Sequence, residues 1–96
     1  MAKFEIKKRS NGEFHFNLLA DNHKVILTSE GYKSKDGCKK GIESVRRNSS
    51  EDSRYERDNS ADGKYYFKLK AANGEVIGVS EMYNTMGTME NGIRLS

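Results

Sequence analysis

Apolar and polar positions alternate with a period of two in residues 13–20, where Phe14, Phe16, Leu18 and Ala20 share one side and His15 and Asn17 the other. Residues 64–71 repeat the pattern, with Tyr65, Phe67, Leu69 and Ala71 on one side and Tyr66, Lys68 and Lys70 on the other. This is the signature of a half-buried antiparallel strand. Shorter strands are expected before each, at residues 4–8 and 55–58, and after each, at 25–28 and 76–79. Asn11-Gly12 and Asp62-Gly63 separate the first pairs, dipeptides favoured by a two-residue hairpin. Asn22-His23 and Asn73-Gly74 separate the second pairs, and His23 reads as a turn residue that tolerates a left-handed backbone. The period then changes. Cys38, Gly41, Ile42 and Val45 form a helical stripe after a Ser34 cap, with Arg46-Arg47 in the last turn. Met89, Gly92 and Ile93 follow Thr85 in the same way.

A shift of 51 positions lays residues 4–45 on 55–96 without a gap, with 13 identities in 42 positions, among them Ser29/Ser80, Glu30/Glu81, Tyr32/Tyr83 and Gly41/Gly92. The expected fold is therefore α+β: two tandem β-β-β-α repeats packed as a pseudo-twofold unit, with an antiparallel sheet and the helices on one face. The first repeat covers about residues 3–48 and the second about 55–96. The polar stretch 49–54 links them within a single compact domain of 96 residues. Recurring glycines at 41 and 92, poor helix formers, predict helices lying close against the sheet. The second copy reaches only Ser96, the counterpart of Val45, so its helix is expected to be truncated and frayed.

Residues 11–18, 63–78 and 80–83, together with 41–45, resemble the YegP family, small bacterial and archaeal proteins classed as a domain of unknown function. The resemblance covers both copies. It implies a tandem pseudo-dimer, in a family whose members carry one copy or two, and it supplies no established biochemical role and no catalytic residues. Asn22-His23 stands where the family more usually has Asn-Gly.

Composition narrows the chemistry. Hydrophobic residues make up 34% and charged residues 32%, with no proline and one cysteine, so no internal disulfide can form. No apolar run is long enough to span a bilayer, and the start lacks the apolar stretch of a signal peptide. A cytoplasmic protein without membrane partners is expected. Cys38 sits on a buried stripe opposite Met89, which suits packing rather than a nucleophile. His15 and His23 have no Cys or His partner at metal-ligand spacing, and no glycine-rich phosphate loop occurs. Ser29, Ser80, Glu30 and Glu81 read as capping or loop residues. No catalytic, cofactor-binding or metal-binding residue is assigned.

Charge is uneven. Residues 1–50 carry 11 Lys and Arg against 6 Asp and Glu, whereas 51–96 carry 6 against 8. Lys7, Lys8, Arg46 and Arg47, with Tyr66 on the outer sheet face, make weak, non-specific nucleic-acid binding the second expectation. A double-stranded-RNA-binding domain is disfavoured because residues 86–90 contain no lysine at the start of the last helix. Tyr32 and Tyr83, each placed between a strand and a helix, are expected half in the core with the hydroxyl in water, and are also candidate anchors for a protein partner or a homodimer. The leading expectation is a non-enzymatic interaction module; an enzyme with an unrecognised site ranks third.

Overall fold

The computed structural model describes residues 3–96. Three strands, β1 (Lys3–Lys8), β2 (Phe14–Leu19) and β3 (Val25–Ser29), lead into helix α1 (Lys35–Asn48). A short 3-10 turn, Asp52–Arg54, leads on to β4 (Tyr55–Asn59), β5 (Tyr65–Lys70), β6 (Val76–Ser80) and helix α2 (Met86–Leu95). The six strands form one antiparallel sheet in the order β1-β2-β3-β6-β5-β4, so β3 and β6 meet at its centre and β1 and β4 are its edges.

Register decides which side chains share a face. Phe4, Leu18, Leu27 and Ser80 are successive cross-strand neighbours, as are Tyr55, Leu69, Gly78 and Ser29. Both rows lie on the side covered by the helices. There Cys38, Ile42 and Val45 of α1 and Met89 and Ile93 of α2 complete a core with Phe16, Leu18, Leu27, Phe67 and Leu69. Ring pairs strengthen it: Phe16 lies edge-on to Phe4 at 5.7 Å and stacks on Tyr32 at 6.3 Å. Phe67 does the same with Tyr55 and Tyr83, at 5.5 and 6.3 Å. Each pair is worth about 0.5–1.5 kcal/mol beyond its burial.

The helices sit as close to the sheet as the recurring glycines predict. A Cβ on Gly41 would lie 2.6 Å from Cζ of Tyr32 and 3.0 Å from the Phe16 ring, and one on Gly92 would lie 2.8 Å from Cζ of Tyr83. At the central seam the fit is unequal: Leu27 is fully buried, and a Cβ on Gly78 would stand 2.8 Å from the carbonyl oxygen of Thr28 and 3.0 Å from Leu27. A large side chain on β3 thus fills the space that a glycine on β6 leaves.

The helix caps are as read. The Ser34 hydroxyl accepts from the Gly37 amide at 3.0 Å, and Thr85 accepts from Thr88 at 3.1 Å. The expected two-residue hairpins are corrected. At Arg9 the amide donates to Glu13 O and its carbonyl accepts from Gly12, which closes a three-residue loop. The other three hairpin loops close identically, at Ala20/Lys24, Ser60/Lys64 and Ala71/Glu75. Only one residue in each loop has positive φ (Gly12, His23, Gly63 and Gly74), whereas a two-residue type I′ turn needs two. His23, at φ 65°, is therefore a turn residue.

α2 runs for 10 residues against 14 in α1. Its turns hold to Leu95. The Ser96 amide donates to Ile93 O, and its hydroxyl donates to Gly92 O at 2.9 Å.

Candidate interaction surfaces

Three surfaces are left once the core is formed: the uncovered sheet face, the helix side of the edge strands, and the hairpin ends. The seven residues singled out from sequence divide among them and form no single patch.

On the uncovered face, Glu5, Asn17, Thr28, Val79, Lys68 and Glu56 make a row across all six strands. The Thr28 hydroxyl donates to Asn17 Oδ1 at 2.9 Å, and Asn17 Nδ2 donates to Glu5 at 3.4 Å. Lys70 pairs with Glu56, whose carboxyl is thereby held below its usual range. Lys7 lies here, 3.7 Å from Glu5, beside His15 on β2. Tyr66 lies here too, donating to Asp58 at 3.4 Å. His15 accepts at Nδ1 from Arg9 Nε at 3.2 Å. Burial and then the neighbouring Arg9 and Lys7 charges lower its pKa, against a smaller opposing pull from Glu5.

Tyr32 and Tyr83 belong to the core side. Each forms an isolated β-bridge, to Phe14 and Tyr65 respectively, and each ring slides between a phenylalanine and a helix glycine. Burial raises both phenol pKa values. Both rings are half-buried packing elements, as expected of a tyrosine between a strand and a helix. The serines nearby hold the sheet: Ser29 Oγ accepts from the buried Phe16 amide at 2.9 Å and donates to Glu30 O, and Ser80 does the same for Phe67 and Glu81. Glu30 and Glu81 lie beyond opposite ends of the β3–β6 ladder and do not form a pair. The thiol of Cys38 is enclosed, and burial pushes its pKa up.

On the helix side of the edges the two halves differ. In the second half Arg57 of β4 donates through Nε and NH2 to both carboxylate oxygens of Glu90 on α2, at 2.5 and 3.0 Å, and also to Asp52 at 2.8 Å. These bonds hold the Glu90 carboxyl below its usual range and raise the Arg57 pKa further. The 51-residue counterparts of Arg57 and Glu90 are Ile6 and Lys39. There a shallow groove of about 400 Å³ opens between β1 and α1, lined by Ile6, Lys39, Lys40, Ile42, Glu43 and Arg46. Arg46 pairs with Glu43 at 2.9 Å and lies 5.3 Å over the Phe4 ring, while Lys8 lies 5.8 Å over Phe14. Arg47 is exposed on another side of α1, near the β5–β6 turn.

Sequence reading missed Arg57 and its partners, since residues 33 apart give no local signal, and it missed Asn48. Placed at the edge of the link, Asn48 is buried. It donates to Ser44 O at 2.8 Å and accepts from Arg54 Nε at 2.9 Å, while Tyr55 donates to Ser49 O at 2.8 Å. Together they fix the crossover between α1 and β4. Among the described residues, no group of three or more His, Cys, Asp or Glu is placed to hold a metal ion, and no helix is long and apolar enough to cross a membrane.

The family model for the domain of unknown function DUF1508 matches twice, at residues 10–56 and 60–95. The chain belongs to this family, that of YegP. Escherichia coli YegP is 51% identical over 90 residues, covering 94% of this chain and 82% of its own length. A UPF0339 protein of Pseudomonas aeruginosa is 50% identical over 93 residues, covering 97% and 84%. The solution NMR structure of E. coli YegP, a protein of unknown function, superposes with a TM-score of 0.91 at 49% identity, covering 97% of this chain and 80% of that one. That of a UPF0339 protein from Shewanella oneidensis gives 0.91 at 46%, covering 97% and 79%.

Proposed function

We propose that this YegP-family chain is a non-enzymatic binding module of the cytoplasm that acts by associating with another protein. We also propose that it is built as two copies of one β-β-β-α unit about a pseudo-twofold axis between β3 and β6. The recurrence at a 51-residue offset of the serine–amide bond, the tyrosine–glycine contact and the three-residue loops supports the second part.

One observation carries the first part: the side chains best suited to chemistry are occupied in holding the fold. His15 accepts from Arg9, Ser29 and Ser80 satisfy buried amides, Cys38 is enclosed, and Tyr32 and Tyr83 are wedged under the helices. Exposed instead are the edge groove of the first half and a broad sheet face. Lys7 faces the open sheet, Lys8 and Arg46 the helix side, and Arg47 a third direction. Such dispersal suits separate contacts with a protein better than the continuous basic track that follows a phosphate backbone.

The test is affinity capture from the native host after nuclease treatment, with the wild type and a Lys8→Glu/Arg46→Glu variant. A protein retained by the wild type and lost with the variant is expected. A signal that disappears on nuclease treatment would transfer the function to nucleic acid, and turnover of a metabolite by the pure protein would refute the non-enzymatic reading.

A further inference from the structure

The two edges of the sheet differ in the side chains that meet between the edge strand and its helix. Each presents an apolar strip between an edge strand and a helix, with Ile42 on α1 and Ile93 on α2 at matching places. On the second half Arg57 reaches across to Glu90 and Asp52 with three charge-assisted hydrogen bonds, and a groove of similar volume lies beyond them, lined by Asp52, Tyr55, Ile93 and Arg94. On the first half isoleucine and lysine occupy the places of Arg57 and Glu90, and the strip is left as a groove. Among the described residues neither Lys39 nor Lys40 has an ion-pair partner.

We propose that the groove between β1 and α1 takes up an extended acidic segment of another protein, which adds to β1 as a further antiparallel strand. This rests on the binding-module reading and gives it a site. The outer edge of β1 offers the backbone groups that strand addition needs, since β1 pairs only with β2. Alternate side chains of an added strand fall on the helix side. One apolar side chain there meets Ile6 and Ile42, and flanking carboxylates meet Lys39 and Lys40 at one end and, at the other, Arg46, which they share with Glu43. Lys8 also points to this side. Lysines 3, 7 and 8 along β1 oppose pairing with a second copy of this strand by like charge and attract an acidic one.

The probe is a fluorescein-labelled peptide Thr-Glu-Thr-Val-Thr-Glu-Thr, whose valine and two glutamates share one face of an extended strand, followed by anisotropy and by backbone amide shifts of the labelled protein. Saturable binding is expected, with shifts confined to β1 and α1, and the same peptide with lysines in place of the glutamates should not bind. Ile6→Arg with Lys39→Glu installs the second half's ion pair in the first and is expected to weaken binding roughly tenfold or more without lowering the melting temperature. Lys39→Glu with Lys40→Glu, at two exposed positions, should weaken binding by a similar factor with the core untouched. It decides the matter even if the first variant does not fold.

Binding that ignores Ile6→Arg/Lys39→Glu, equal binding of the lysine peptide, shifts on the uncovered sheet face, or no binding would overturn the proposal. A partner captured through the sheet face would sink the groove alone and leave the binding module standing. Capture of neither peptide nor protein would sink both.

Discussion

His23 holds φ at 65° in a loop whose three counterparts all place glycine at that position. A left-handed backbone costs a side-chain-bearing residue about 1–2 kcal/mol, partly offset by the extra chain entropy that glycine loses on folding. His23→Gly is therefore expected to stabilise by roughly 0.5 kcal/mol in denaturant unfolding. Gly41 works in the opposite sense. Alanine there gains about 1 kcal/mol of helix propensity but collides with the Tyr32 ring, and overpacking of this kind typically costs about 1–3 kcal/mol. Gly41→Ala should come out destabilising, with a lower denaturant midpoint at unchanged slope. His15 makes stability depend on pH. Its folded pKa lies below its ordinary 6.5, because burial and the adjacent cations disfavour the charged ring. The unfolded chain thus binds the proton more readily, and the contribution of His15 is complete above pH 6.5 and is lost as pH falls through the lower folded value. His15→Gln should flatten that part of the pH–stability profile, measured as the difference from wild type so that carboxylate titrations cancel.

At the scale of elements, the β2–β3 and β5–β6 hairpins each carry an irregularity, and one serine makes each tolerable. The regular ladder between β2 and β3 ends at the Asn17/Thr28 pair and pairing resumes only at the Phe14/Tyr32 bridge. In between, the Phe16 amide has Ser29 Oγ as its acceptor. Ser29→Ala leaves that buried donor unsatisfied, which costs about 1–3 kcal/mol. Ser80→Ala should cost a similar amount, and a large difference between the two would show that the hairpins are held in different ways. The serines were legible in the sequence as recurring loop residues. Their partner was not, because the amide of residue 16 is identifiable as unpaired only after the strand register is fixed.

At the scale of the molecule, the β3–β6 seam and the shared core join the halves. Leu27 reaches over Gly78, and Glu30 donates across to Ile77 O. A fragment of residues 1–51 would expose β3 as a new edge and lose the partner surface of Leu27. It is expected to show no cooperative unfolding when dilute and to regain a transition at high concentration by pairing β3 with β3 of a second fragment. A fragment that folds as a stable monomer would contradict this account.

The order of elements, both helix caps, the core stripe and the inward side of each long strand follow from the sequence, because period, capping and turn chemistry act over a few residues. The 51-residue offset likewise marked Phe16, Tyr32 and Gly41, with their counterparts, as places under packing constraint. Tertiary structure alone decided that β3 meets β6, that Leu27 is matched to Gly78, and that Asn48 is buried at the crossover. It also decided that Arg57 and Glu90 pair across one edge while Ile6 and Lys39 line a groove at the other. Each of these depends on contact between residues distant in the chain. The 51-residue offset sets Ile6 and Lys39 against Arg57 and Glu90, but that Arg57 meets Glu90, 33 residues away, follows only from the fold.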